Sequence, residues 1–297
     1  VTAEVRTIGV VGTGQMGSGI AQVAATAGFQ VIARDTSAAF LDKGRQGIEK
    51  STAKLVEKGK LEKSDRDAAL TRIRYTTELT DLSSCHLVIE AITEDLALKN
   101  ELWSVLDRSC PAATIFASNT SSLSIAAMAS ATSRADRFAG LHFFNPVPLM
   151  PLVEIVRGVG TSQATVDALF AFVRQLGKEP VAARDASGFI VNLLLVPYIL
   201  DGIRALERGV ATIRDLDTAM KLGASHPMGP LELADFVGLD TLARIGDIMF
   251  EEYREARYAA PPLLRRMVLA GLHGRKNGRG FYDYGVNPPV PTDLGLS

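Results

Sequence analysis

The sequence predicts an α/β fold: a mostly parallel sheet with a helical hairpin insertion, followed by an all-α C-terminal domain. Three observations point there. Before about residue 184, short β-branched runs alternate with helix-like segments, the pattern of strands joined by crossover helices in a sheet covered on both faces. A glycine-rich turn directly follows the first of those runs. Past residue 184 the runs stop and helical text takes over.

Taken in order, Thr7-Ile8-Gly9-Val10-Val11 is the first strand. The glycine turn then opens a helix over about 16–27, and 30–33 is a second short strand. Residues 38–74 are charged and helix-prone, which makes them a long helical excursion. Further strands are expected at 87–91, 114–117 and 138–142, with a helix over 95–106 between the first two. Beyond Ala186-Ser187-Gly188 the helical stretches are roughly 188–208, 212–221, 230–254 and 261–271, punctuated by Pro227, Gly229, Pro230 and Pro261-Pro262. The change of pattern at 183–187 divides the chain into domains 1–185 and 186–297. The Pro- and Gly-rich stretch 285–297 leaves two options, an ordered arm or a frayed tail.

Composition narrows the function classes. At 297 residues the chain is long enough for one large domain or two medium ones. With 32 Lys+Arg against 33 Asp+Glu the net charge is −1, without the clustered positive charge of a nucleic-acid binder. Cys85 and Cys110 make neither a disulfide framework nor a Cys-x-x-Cys metal or redox pair. The longest apolar stretch, 188–203, is interrupted by Asn192, Pro197 and Asp201 and falls short of the ~20 residues of a membrane span. Val1-Thr2-Ala3-Glu4-Val5-Arg6 lacks the apolar segment of a signal peptide. The expectation is a soluble protein of a reducing compartment, with no metal, membrane or nucleic-acid partner.

Gly12-Thr13-Gly14-Gln15-Met16-Gly17 fits G-x-G-x-x-G between a strand and a helix. The first glycine permits the tight turn and the second lets backbone approach a pyrophosphate. The third allows close helix–strand packing, while free N–H groups at the helix start meet the phosphates. Asp35 follows Gly12 by 23 residues at the end of the second strand. A carboxylate there binds both ribose hydroxyls of NAD and repels the 2′-phosphate of NADP. Arg34 beside it is the one feature favouring NADP; the acid decides for NAD and a Rossmann-like domain.

Four histidines are present, His86, His142, His226 and His273. His142 ends a strand, and in an open α/β sheet ligands bind beyond the carboxyl ends of strands. Twelve residues on, Glu154 is a charge inside the apolar run Leu152-Val153-Glu154-Ile155-Val156, and a buried carboxylate needs a partner. A neutral imidazole can take a hydroxyl proton near pH 7 while a carboxylate orients the ring and balances the imidazolium. Each alone has a plainer explanation, a packed strand-end His and a solvent-facing Glu; the nearby glycine turn favours catalysis. His86, His226 and His273 have weaker claims.

Phe116-Ala117-Ser118-Asn119-Thr120-Ser121-Ser122-Leu123, His142-Phe143-Phe144-Asn145-Pro146-Val147-Pro148 and Gly188-Phe189-Ile190-Val191-Asn192 resemble the 3-hydroxyacyl-CoA dehydrogenases, most of all their short bacterial 3-hydroxybutyryl-CoA members. The similarity spans residues 7–284 and continues through Met220-Lys221-Leu222-Gly223, Pro227-Met228-Gly229-Pro230 and Gly278-Arg279-Gly280-Phe281-Tyr282. The resemblance implies His142 as base and Glu154 as its partner, with Asn192 and Ser121 holding the substrate's reacting end. It implies that Asp35, Glu94, Lys99, Ser121, Asn145 and Lys276 line the NAD site with Gly12, Gly14, Gln15, Met16 and Gly17. Ser51 and Lys58 match positions that contact coenzyme A. Lys54 and Lys58 lie four apart on one helix face with Lys60 and Lys63 nearby, suited to phosphates or equally to a solvated basic face. Leu193 departs from the family, where many members carry Arg. At ~150 residues per domain two domains fill the chain, so a stand-alone dehydrogenase is expected, cytoplasmic and of fatty-acid metabolism; the resemblance further implies a homodimer through its C-terminal helical domain. Rival readings are a dehydrogenase of a non-CoA hydroxy acid (L-gulonate or carnitine type) and a non-catalytic NAD-binding or structural protein.

Overall fold

The structure, a computed structural model, describes residues 5–295; the first four residues of the N-terminal segment and the last two of the tail lie outside it. Two compact units divide the chain, Val1–Phe189 and Ile190–Ser297.

In the first unit, β1 (Thr7–Val11), α1 (Gln15–Thr26) and β2 (Gln30–Arg34) are followed by the hairpin α2 (Ala38–Glu57) and α3 (Lys63–Thr71). Then come β3 (Ile73–Thr76), β4 (Leu87–Glu90), α4 (Leu96–Ser109), β5 (Ile115–Ser118), α5 (Ile125–Ala129), β6 (Phe138–Phe143), β7 (Leu152–Arg157), α6 (Gln163–Gln175) and β8 (Glu179–Arg184). The eight strands form one sheet in the order β3-β2-β1-β4-β5-β6-β7-β8. Every pairing is parallel except β6 with β7. This is the mostly parallel α/β architecture expected, with the chain running outward in opposite directions from β1 and β4. Such a reversal opens a crevice at the carboxyl ends of those strands.

The central strands read as unbroken apolar runs because both of their faces are buried. Ile8 and Val10 join one core with Ile20 and Leu169, whereas Val11 joins the other with Val88, Trp103, Phe116 and Phe138. The sheet's two edges, β3 and β8, are the strands that the hydrophobic pattern does not announce. Each has a neighbour on one side only; β3 is partly and β8 largely open to solvent, so alternation is diluted and even Pro180 is tolerated in β8.

The second unit packs α7 (Val191–Glu207), α8 (Ile213–Gly223), α9 (Pro230–Val237), α10 (Leu239–Tyr253) and α11 (Pro262–Leu269) around a core that includes Leu200, Leu231, Leu242 and Phe281. The helix expected over 230–254 is two helices. Gly238 breaks it at φ +97°, and a Cβ there would meet Lys276 Cε at 2.4 Å. Of the two options for the tail, the arm is observed: β9 (Tyr282–Asp283) pairs with β10 (Val290–Pro291), and the Thr292 N–H donates to the Phe281 carbonyl at 2.8 Å. Buried Asp235 holds that loop, accepting from the N–H groups of Phe281 and Tyr282 at 2.9 and 2.8 Å. Among the described residues no helix is long and apolar enough to cross a membrane, and no cluster of His, Cys, Asp or Glu is arranged to hold a metal.

Candidate active site

The glycine turn closes the carboxyl end of β1. Gly12 has φ +95°, and a Cβ on it would lie 2.6 Å from the Ala91 carbonyl oxygen. A Cβ on Gly17 would lie 1.7 Å from the Gly12 carbonyl oxygen, so helix and turn can approach only without side chains. Gly14 differs: nothing lies within 4 Å of its missing Cβ. Two glycines therefore serve packing, and the middle one keeps a backbone face open at the start of a helix, the shape a pyrophosphate needs. Asp35 Oδ2 accepts from the Thr13 N–H and hydroxyl at 2.6 and 2.9 Å, and Oδ1 accepts from the Thr36 N–H at 2.7 Å. The carboxylate thus braces the turn at one end of a cleft of about 570 Å³ whose apolar walls include Ile92, Leu102 and Val105. Arg34 lines the same cleft while its Nε donates to the Thr77 carbonyl at 3.1 Å. An apolar slot, a carboxylate at its edge and an open glycine backbone fit a dinucleotide. Met16 packs partly into the core, and Gln15 Nε2 donates to Asn145 Oδ1 at 3.0 Å.

Across the β6–β7 pairing His142 stands opposite Glu154. Directly opposed residues on an antiparallel pair project to the same face, which turns a twelve-residue separation into contact: Nδ1 lies 2.6 Å from Glu154 Oε2. Glu154 has no exposed surface and His142 only 4%. The ring packs against Phe144 and Phe189 with centroids 4.6 and 5.5 Å away. Facing a carboxylate, which when ionised only accepts, a neutral ring places its proton on Nδ1 and leaves the lone pair of Nε2 for a substrate.

A second buried ionic cluster, centred on Glu90, supports the neighbouring loop. Glu90 is a carboxylate ending an apolar strand, the same signal that singled out Glu154, yet it escaped assignment from sequence. Its carboxylate pairs with Lys99 and accepts from the Ser118 hydroxyl at 2.6 Å and the Ile92 N–H at 2.8 Å. Lys99 is 1% exposed and also reaches Glu94 at 3.3 Å, so its ammonium faces inward. Glu94 accepts from the Thr120 hydroxyl at 2.5 Å and the Ser121 N–H at 2.9 Å. Asn119 completes the link to the dyad, its N–H donating to the Glu90 carbonyl and its Oδ1 accepting from the Phe143 N–H, at 2.8 and 2.9 Å. Breaking such a pair from one side strands a buried charge, at a cost of about 3–5 kcal/mol.

Ser51 lies on α2 in a groove of about 530 Å³ that also includes Gly14, Gln15 and Asn145. Lys58, just past the end of α2, is exposed, as are Lys54 and Lys60. Asn192 and Lys276 belong to the second unit. Asn192 starts α7, and Lys276 donates to Asp240 Oδ1 and Thr241 Oγ1 at 2.7 and 2.5 Å. Among the other histidines, His86 accepts from the Thr7 N–H at 3.2 Å and His226 pairs with the Tyr198 hydroxyl at 3.0 Å.

Comparison with known proteins bears on both units. The family model described as 3-hydroxyacyl-CoA dehydrogenase, NAD binding domain, matches residues 7–186, and that described as 3-hydroxyacyl-CoA dehydrogenase, C-terminal domain, matches residues 188–284. A 3-hydroxybutyryl-CoA dehydrogenase of Mycobacterium tuberculosis is 52% identical over 283 residues, covering 94% of this chain and 99% of its own. The mitochondrial hydroxyacyl-coenzyme A dehydrogenase of Homo sapiens is 48% identical over 94% of this chain and 91% of its own. The crystal structure of (S)-3-hydroxybutyryl-CoA dehydrogenase PaaH1 from Ralstonia eutropha superposes with a TM-score of 0.91 at 45% identity, covering 95% of this chain and 99% of that one.

Proposed function

Since the chain belongs to the 3-hydroxyacyl-CoA dehydrogenase family, we propose that it reversibly oxidises (S)-3-hydroxyacyl-CoA to 3-ketoacyl-CoA, preferring short chains such as 3-hydroxybutyryl-CoA. It is an NAD-dependent oxidoreductase. The observation that carries the chemistry is the buried His142–Glu154 pair at 2.6 Å, in the unit that also holds the glycine turn. Nε2 of His142 takes the 3-hydroxyl proton as the C3–H bond breaks. NAD, when bound, accepts the hydride that leaves C3. Glu154 keeps the ring in the required tautomer and balances the imidazolium. In the reverse direction the same imidazolium returns the proton to the ketone oxygen.

In this reading Ser121 and Asn192 hold the reacting end of the substrate, while Ser51 and Lys58 meet coenzyme A. Gly12, Gly14, Gln15, Met16, Gly17, Asp35, Glu94, Lys99, Ser121, Asn145 and Lys276 form the NAD site, in which Lys99 acts by holding Glu94 beneath the Ser121 loop. Residues 1–185 are the NAD-binding domain, and residues 186–297 serve substrate binding and dimerisation. The exposed Leu194 and Leu222 of the second unit support a homodimer built there. Two free, buried cysteines accord with a reducing compartment such as the cytoplasm, and a 3-hydroxyacyl-CoA substrate would place the enzyme in fatty-acid metabolism.

Steady-state rates with NADH and acetoacetyl-CoA, against free acetoacetate, test the substrate class. A large preference for the thioester is expected; equal rates would favour a non-CoA hydroxy acid. NADH binding without turnover of any 3-ketoacyl-CoA from about four to sixteen carbons, a range spanning ~10 kcal/mol of buried CH₂, would leave only a non-catalytic NAD-binding protein.

A further inference from the structure

Gln15, Ser18, Gly19 and Gln22 follow the i, i+3, i+4, i+7 spacing and share one face of α1, which forms a wall of the groove that holds Ser51. The opposite wall is the loop after β6. It comes so close that a Cβ on Gly19 would lie 2.7 Å from Val147 Cβ. Ser18 is satisfied within the turn, its hydroxyl donating to the Thr13 carbonyl at 2.7 Å. Gln22 differs. It is only 3% exposed, and no described protein group hydrogen-bonds its side chain. Its amide atoms are not sealed in the core but open on the groove. Gln22 and Pro148 also line the adjoining depression that contains Lys60, so Gln22 stands where the two meet.

Polar groups this far inside a protein are almost always paired, and an amide on the wall of a groove is free to pair with whatever fills it. A side-chain amide offers a donor and an acceptor together, the complement of a peptide-like secondary amide. A ligand running from Asn145 toward the Lys60 end would pass it midway. We propose that Gln22 recognises an amide in the pantetheine arm of the acyl-CoA, placing the thioester relative to the site by gripping the linker rather than the phosphates. This rests on the reading that the substrate is an acyl-CoA.

The test compares wild type with Gln22→Met, similar in size but apolar, on three thioesters: acetoacetyl-CoA, acetoacetyl-N-acetylcysteamine and S-ethyl acetothioacetate, which has no amide. Loss of one hydrogen bond should raise KM about tenfold for the two amide-bearing substrates with kcat held. For the amide-free thioester, kcat/KM should stay within about twofold. Because no described protein group pairs with the Gln22 side chain, the substitution should also leave Tm at or above the wild-type value. An equal loss on all three substrates, no loss on any, or a fall in Tm accompanied by uniform loss would overturn the assignment. The underlying reading fails separately, when the wild-type enzyme itself uses acetoacetyl-CoA no better than S-ethyl acetothioacetate.

Discussion

Replacing Glu154 with Gln keeps the size of the side chain and one oxygen acceptor but removes the charge facing His142. The ring is neutral before proton transfer and cationic after it, so the carboxylate matters most as the imidazolium forms. Charge centres about 4 Å apart at an effective dielectric near 20 attract by about 4 kcal/mol. Both groups are almost fully buried and meet at 2.6 Å, so solvent screens this pair little. At about 1.4 kcal/mol per tenfold in rate, E154Q should lower kcat by about a thousandfold. An amide turned to present its NH2 would force the other tautomer and block Nε2, adding to the loss. The assay is acetoacetyl-CoA reduction followed by NADH absorbance, with NADH affinity from fluorescence titration. NADH affinity should stay within about threefold, because an interaction confined to the transition state leaves ground-state binding alone. Glu154→Asp, which restores the charge one methylene short, should recover part of the rate. A fall of less than about tenfold for E154Q would refute the reasoning, since it leaves under ~1.4 kcal/mol for the charge.

Gly14→Ala should fold with an unchanged Tm yet bind NAD at least about tenfold more weakly, because the methyl enters the space a pyrophosphate needs. Gly17→Ala should instead fail to fold or lose Tm sharply; thermal melts and NAD titration of both variants check the contrast. Asp35→Ser should narrow the preference for NAD over NADP by about tenfold or more, read as the ratio of kcat/KM values, and an unchanged ratio would remove Asp35 from cofactor choice. Burial raises the Asp235 carboxyl to about 6 from its ordinary 3.8, against the pull of hydrogen bonds from the Phe281 and Tyr282 N–H groups and the Tyr284 hydroxyl. The folded state therefore holds this proton more tightly than the unfolded chain. Its contribution is fully present below about pH 4 and is lost as pH rises through about 6, a change of about 3 kcal/mol. Urea unfolding across that range should show this slope in the wild type and its absence in Asp235→Asn.

Some of this site is local in origin and therefore legible in the sequence. A phosphate cradle is built from consecutive backbone groups, so Gly12, Gly14 and Gly17 must appear at fixed spacing, with Asp35 one strand further on. Strands buried on both faces must be apolar throughout, and a charge inside such a run, as at Glu154, has to be answered by a partner. Glu90 carries the same signal at the end of its strand; the loop that it and Glu94 hold together took the structure to reveal. Edge strands β3 and β8, paired on one side only, leave only a faint pattern, and one glycine, Gly238, divides what reads as a single long helix.

The sequence by itself determined the α/β class, the dinucleotide turn and the identities of an acid and an imidazole suited to proton transfer. Tertiary structure alone decided which groups meet. The antiparallel pairing of β6 with β7 within an otherwise parallel sheet sets His142 opposite Glu154, and a register shift of one residue would send one of them to the other face. The same holds for Gln22, which reads as one of several polar residues of α1 until the fold sets it with the loop at 145–148 along one groove. Periodicity along a chain records how much of a residue is buried; which partner it is buried against depends on pairing between segments far apart in sequence.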